Sequence, residues 1–268
     1  DYTAYLMDGV RPQTWYDTRP GRWIGLRDWP QGPAASDWQL CGDGTMQQAG
    51  DATATADTGM NIIVASPQDC GMDGGEYCAI WLGPEMPGDQ RSDNARSACF
   101  TSAILAEDTD IVGAPRVRLR LCADAPAAQI AVRLNHIHPD GAATRITYGV
   151  LNLAHRNGHD AADPLTPGTP ADITIDLDHI AYRVPAGHRI NIAVSSAYWP
   201  LIWPSPTSVS LTLLSGSLGL PTRPSGETDE RQFEPAEADA PWATETIRPA
   251  SNSRTVTTDM KTGVMTLE

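Results

Sequence analysis

Glycine and proline are scattered through the whole chain, 23 and 22 of them among 268 residues, and they cut it into runs too short for a sustained helical period. What survives between them is alternation. Arg116-Val117-Arg118-Leu119-Arg120-Leu121 sets Val117, Leu119 and Leu121 on one face of a strand and three arginines on the other, the pattern of a half-buried strand. Gln129 to Ile137 alternates through Ile130, Val132 and Leu134 and runs into His138-Pro139-Asp140-Gly141, whose Asp-Gly pair predicts a tight turn and a returning arm over Thr144 to Leu153. Further strands are predicted from Asp172 to Ile180, Arg189 to Ser195 and Ser208 to Leu214, with a turn at Pro185-Ala186-Gly187. Weaker candidates are Asn61 to Ala65, Cys78 to Leu82 and Ser97 to Leu105. Strands spaced by about ten residues, with turn chemistry between them, predict an all-β, antiparallel sandwich.

Two flanks differ from this core, so the chain reads in three parts. Residues 1–60 hold Trp15, Trp23, Trp29 and Trp38 among Pro, Gly and Asp with little period, which predicts an irregular wrap. Residues 61–220 form the sandwich. Residues 221–268 begin as a proline-rich acidic crossing and end in a hairpin built from Thr255 to Met260 and Val264 to Leu267. A start at Asp1 and a stop at Glu268 inside that hairpin read as cuts.

Charge narrows the partners. With 19 basic and 33 acidic side chains the formal net charge is −14, and the single lysine, Lys261, sits among dispersed arginines. Nucleic acid and anionic membranes both need clustered positive charge, so neither is expected as a partner. No apolar run approaches the roughly 18 residues of a spanning helix. Five cysteines, Cys41, Cys70, Cys78, Cys99 and Cys122, contain no CxxC pair, which argues against a zinc site and suits buried thiols in a reducing cytoplasm. A Cys70–Cys78 bridge is the leading exception.

Candidate chemistry is sparse. A serine nucleophile needs a G-x-S-x-G elbow at a strand-to-helix turn. The nearest stretch, Ser215-Gly216-Ser217-Leu218-Gly219, lacks the first glycine and a following helix, and Ser195-Ser196 reads as a strand-terminal turn. His136 and His138, two apart on a strand, share a face and could share a metal, but no third ligand is identifiable and a structural role is the better reading. His155 and His159 flank one turn, and His179 and His188 bracket another. Asp69, Asp73 and Glu76 with Gly71, Gly74 and Gly75 make an acidic loop of the calcium-ligating kind, without EF-hand spacing. No phosphate-cradling motif occurs, and no cofactor is expected. The sharpest surface signal is Tyr198-Trp199-Pro200-Leu201-Ile202-Trp203-Pro204, where Tyr198, Trp199 and Trp203 serve either as core cover or as a docking face.

A series of motifs in order resembles the C-terminal domain of the CocE/NonD hydrolases, the cocaine esterase and X-prolyl dipeptidyl-peptidase group. They are Pro87-Gly88-Asp89-Gln90-Arg91, Thr101-Ser102, Leu105-Ala106-Glu107-Asp108, Pro139-Asp140-Gly141, Tyr148-Gly149-Val150-Leu151-Asn152, Pro185-Ala186-Gly187-His188-Arg189-Ile190 and Ser195-Ser196-Ala197-Tyr198-Trp199-Pro200. The resemblance implies a jelly-roll sandwich like galactose-binding domains, joined to an α/β-hydrolase domain of the same polypeptide. It implies a serine hydrolase whose Ser, Asp and His lie upstream, so that no catalytic residue falls in this chain. Expected roles follow: packing on the hydrolase domain, shaping its active-site entrance and supporting a homo-oligomer. The competing reading is a carbohydrate- or ligand-binding module that uses Trp199 and Trp203.

Overall fold

The computed structural model describes residues 2–27, 36–49, 59–76, 86–223, 229–235, 237–249, 251, 253 and 255–268. In chain order its strands begin with β1 (Tyr2–Asp8), β2 (Gly21–Leu26), β3 (Ser36–Leu40), β4 (Thr45–Gln48), β5 (Ile62–Val64) and β6 (Ala98–Ser102). They continue with β7 (Thr109–Gly113), β8 (Arg116–Ala123), β9 (Gln129–Ile137), β10 (Ala143–Asn152), β11 (Ala171–Asp176) and β12 (Ile180–Val184). The last are β13 (Arg189–Ser195), β14 (Leu211–Leu220), β15 (Thr222–Arg223), β16 (Val256–Thr258) and β17 (Met265–Leu267). Helix is confined to one turn at Arg91–Asn94 and a 3-10 turn at Leu153–His155 among the described residues. The protein is all-β, as its punctuation requires.

A ten-stranded sheet runs β10-β9-β13-β6-β4-β3-β14-β8-β11, with β5 also on β14, and a five-stranded sheet runs β15-β7-β12-β1-β2. The larger sheet curls until its end strands approach: Asp178 N donates to Tyr148 O at 3.1 Å just beyond β11. Gly149 is required there, since a Cβ at that position would lie 2.9 Å from the Asp176 carbonyl oxygen. The result is a sandwich verging on a barrel. Its main core joins Phe100, Val117, Leu119, Leu121, Ile130, Val132, Leu134, Ile190, Ile192, Leu211 and Leu213 from both halves of the curled sheet. Leu6, Ile24, Leu26, Val112 and Ala181 make a smaller cluster on the five-stranded sheet.

The alternating strands stand where expected. β8 buries Val117, Leu119 and Leu121 and exposes its arginines. Register on β11 then sets Asp172 opposite Arg120 and Asp176 opposite Arg116, and both pairs close as ion pairs at 2.8 and 2.5 Å. The turn at 138–141 closes through Gly141 N donating to His138 O at 2.9 Å, with Gly141 at φ +87°.

Four features differ from expectation. The run from Asp172 to Ile180 is two strands in two sheets. The chain crosses at Leu177 and Asp178 while β7 and β8 make the same crossing beside it, and Leu177 N donates to Pro115 O at 2.8 Å. β14 extends to Leu220, past a bulge between Leu213 and Ser215. The described residues among the first 60, expected as an irregular wrap, contribute four short strands. Finally, β9 is buried on both faces rather than one, and on its outer side Arg133 donates to Asp93 O and Asn135 to Asn94 Oδ1. The candidate strand Cys78 to Leu82 lies outside the described residues. The hairpin near the C-terminus forms as β16 and β17.

Candidate functional site

Tyr198 to Pro204 leaves the end of β13 as a loop pinned by two backbone bonds, Trp199 N to Cys70 O and Ile202 N to Tyr198 O, both 2.9 Å. Gly71 is obligatory beneath it. Its φ is +112°, and a Cβ would meet the Trp199 carbonyl oxygen at 2.6 Å, so any side chain would clash with backbone. Tyr198, expected on the docking face, is fully buried. Its hydroxyl accepts from Arg145 Nη1 at 2.7 Å, its ring lies 5.3 Å from the Arg133 guanidinium carbon, and burial raises its pKa. Tyr198 is therefore the root of the loop. Trp199 is half-buried and meets Trp203 edge to face, with ring centroids 5.6 Å apart, while Trp203 is 80% exposed.

These two rings form one wall of a groove of about 890 Å³. Pro67, Asp69 and Met72 line it together with Thr258, Gly263 and Met265 of the C-terminal hairpin. A groove with two tryptophan faces can hold a nonpolar chain segment or stack on a sugar ring.

The acidic loop beside it is tied into the fold through its backbone. Asp69 pairs with Arg96 at 2.9 Å, Glu76 points to solvent, and the backbone amides of Gly71 and Asp73 donate to the Asp93 carboxylate at 2.8 and 3.1 Å. The loop thus presents N–H donors inward to a buried anion. Asp69, Asp73 and Glu76 do not converge as a ligand set; among the described residues the group that does is His136, His138 and His188. Asp93 is itself held by Arg133 at 3.5 Å, both without exposed surface, and Arg133 Nη2 donates to Ser97 Oγ at 2.6 Å.

Register explains the histidine cluster. His136 and His138 share a face of β9 and its turn, and β13 runs antiparallel to β9 with Ile190 opposite His136, so the residue just before β13, His188, falls beside them. His136 Nε2 lies 2.6 Å from His188 Nδ1, and the His136 and His138 rings stack at 4.0 Å. Tyr182 Oη lies 3.0 Å from His136 Nδ1, and Thr144 Oγ1 lies 2.9 Å from His138 Nε2. Burial, then the neighbouring histidines, lower the His136 pKa to about 3, and burial lowers that of His138. Sequence spacing supplied two of the three. The third is a long-range contact across strands, visible only once register is known.

The serines do not make a nucleophile. Ser217 sits in the middle of β14 between Gln39 and Arg118, and neighbouring Gly216 leaves room for Leu119 and Leu40. Ser196 Oγ accepts from Ser66 N at 3.0 Å, and the Ser195 hydroxyl is buried. Cys70 is a buried free thiol and Cys78 lies outside the described residues.

Known proteins agree with this arrangement. A solved alpha-amino acid ester hydrolase superposes with a TM-score of 0.61 over 75% of this chain and 39% of its own, at 18% identity. A CocE/NonD family hydrolase from Staphylococcus aureus superposes with a TM-score of 0.57 over 81% of this chain and 40% of its own, at 11% identity. At these identities the likeness is one of fold. In sequence, the cocaine esterase of Rhodococcus sp. is 25% identical over 161 residues, 59% of this chain. The chain spans between 27% and 33% of the length of the curated relatives it matches. The model of the X-Pro dipeptidyl-peptidase C-terminal non-catalytic domain matches residues 1–255. A sandwich without a nucleophile elbow, matched over nearly its whole length, belongs to that family of non-catalytic domains found in CocE/NonD-type hydrolases.

Proposed function

We propose that this chain serves as the C-terminal sandwich of a serine hydrolase of the acyl esterase or X-Pro dipeptidyl-peptidase class. In this reading it packs on the α/β-hydrolase domain of the same polypeptide, helps shape the active-site entrance and supports a homo-oligomer. The observation that carries it is Trp203, 80% exposed and braced by Trp199 on a loop whose root, Tyr198, is fully buried. A large aromatic held rigidly in water loses little entropy when covered, which is the energetic profile of an interface anchor. Free thiols at Cys41, Cys70, Cys99 and Cys122 suit a cytoplasmic setting. Replacing Trp199 and Trp203 together with serine should leave the fold intact and weaken binding of the separately expressed hydrolase domain at least tenfold in sedimentation or calorimetry. Unchanged binding would refute the docking role.

The groove favours one competing reading, a carbohydrate- or ligand-binding module, because its two tryptophan faces offer a stacking platform. Glycan-array binding lost in the same double variant, with hydrolase docking unaltered, would establish that reading instead.

A further inference from the structure

We propose that His136, His138 and His188 form a binding site for one divalent transition-metal ion with the preferences of zinc. One ligand nitrogen from each ring lies within 4.8 Å of the others. A tetrahedral ion held at about 2.0–2.1 Å by three imidazoles sets their nitrogens roughly 3.4 Å apart. The 2.6 Å between His136 Nε2 and His188 Nδ1 opens as the ion enters between them, and no pair of ligand atoms in the group starts more than 4.8 Å apart.

Hydrogen bonding decides which nitrogens face the ion. The Thr144 hydroxyl donates its one proton to Val10 O at 2.7 Å, so toward His138 it acts as acceptor. His138 therefore carries its proton on Nε2 and keeps the Nδ1 lone pair. Tyr182 Oη at 3.0 Å is the partner of His136 Nδ1, so Nε2 is the nitrogen turned toward His188 and the ion. With His188 protonated on Nε2, three neutral imidazoles present three lone pairs, and binding then needs only a change of tautomer. Oxygen partners on the outer nitrogens of histidine ligands are the usual arrangement that fixes ring orientation and raises basicity. Gly9 adds a structural requirement. A Cβ there would come within 2.7 Å of the His136 ring, so the chain crosses the cluster at contact distance only as glycine.

The donor set selects the ion class. Imidazole nitrogen suits Zn, Co, Ni and Cu and is a poor host for calcium or magnesium. His136 and His138 are buried while His188 is half-exposed, so the fourth position opens on the His188 side to water. Bound there, an ion would tie β9, its turn to β10 and the entry to β13 into one unit.

The test is titration of the chelator-treated chain with zinc chloride, followed by calorimetry and thermal melting, with cobalt chloride as a spectroscopic stand-in. The expected result is one ion per chain with micromolar or tighter affinity, a melting point raised by several degrees at saturating zinc, and visible cobalt bands of four-coordinate intensity. His188→Ala, at a half-exposed turn, should weaken binding at least tenfold and abolish the zinc-dependent rise. His155→Ala, which removes one of the surface pair His155 and His159 whose rings stack at 5.6 Å, should change neither. Binding that survives His188→Ala but not His155→Ala would overturn the assignment. So would the absence of four-coordinate cobalt bands in the unsubstituted chain, a readout independent of how any variant folds.

Discussion

Asp93→Ala tests how the outer face of β9 and the loop beneath the tryptophans are held together. The Asp93 carboxylate has no exposed surface, accepts from Gly71 N at 2.8 Å and Asp73 N at 3.1 Å, and forms an ion pair with Arg133, whose Nη1 lies 3.5 Å away. Alanine leaves Arg133, also fully buried, without its counter-charge, and removing one partner of a buried pair costs about 3–5 kcal/mol. Each amide donor left without an acceptor adds about 1 kcal/mol where water cannot reach it. Arg133 keeps the Asp93 backbone oxygen at 3.1 Å, Ser97 Oγ at 2.6 Å and the Tyr198 ring, which places the total near the lower limit, about 5 kcal/mol. In a domain of this size that lowers the melting temperature by roughly 10 °C. Thermal and urea unfolding, followed by near-ultraviolet circular dichroism, measures it. Arg133→Met added to Asp93→Ala removes the stranded cation and should restore about half of the loss. A single variant within about 1 kcal/mol of the parent, or a double variant no more stable than the single, would refute this reasoning.

Leu119→Ala and Val132→Ala should each cost about 2–4 kcal/mol, read as lower urea midpoints with unchanged slope, whereas Arg118→Ala on the exposed face of β8 should cost less than about 0.5 kcal/mol. Tyr198→Phe should cost about 1–2 kcal/mol in the same assay, by leaving Arg145 without its phenolic acceptor. The chain alone should hydrolyse neither p-nitrophenyl esters nor X-Pro anilides above a buffer blank, and turnover lost on replacing one serine would contradict that. In chelator-treated protein, stability should fall with acidification. His136 has a folded pKa of about 3 against an ordinary 6.5, so below 6.5 the unfolded chain takes up a proton that the folded chain refuses. The contribution is complete above pH 6.5 and is lost toward pH 3, about 2 kcal/mol between pH 7.5 and 5. A flat urea midpoint over that interval would exclude a buried neutral His136.

The larger sheet was legible wherever one face meets water. β8 declares itself because Arg116, Arg118 and Arg120 alternate with core residues, and the β9–β10 hairpin because Asp140-Gly141 suits a turn that demands positive φ. The five-stranded sheet was not legible. β12, Ile180 to Val184, buries Ala181, Tyr182 and Val184 on both sides, so it has no period to read, and β1 mixes half-buried residues along its length. At the site, spacing identified the aromatic loop but not its internal division of labour. Tyr198 and Trp199 are neighbours, and only the packing of Gly71, Arg133 and Arg145 turns one inward and leaves the other at the surface. His188 was hidden for a similar reason: its partner His136 lies some 50 residues away across a strand pair, whereas Asp69, close in sequence to Asp73 and Glu76, pairs with Arg96 instead.

The central claim, that the Trp199–Trp203 loop is a surface covered by a hydrolase domain of the same polypeptide, is tested most directly by hydroxyl-radical footprinting. Oxidation of Trp203 is followed by mass spectrometry in this chain alone and in a longer polypeptide that joins it to a CocE/NonD-type hydrolase domain. In the chain alone Trp203, 80% exposed, should oxidise rapidly. In the longer polypeptide its rate should fall at least fivefold, together with that of Trp199. Equal rates in the two forms would contradict the account.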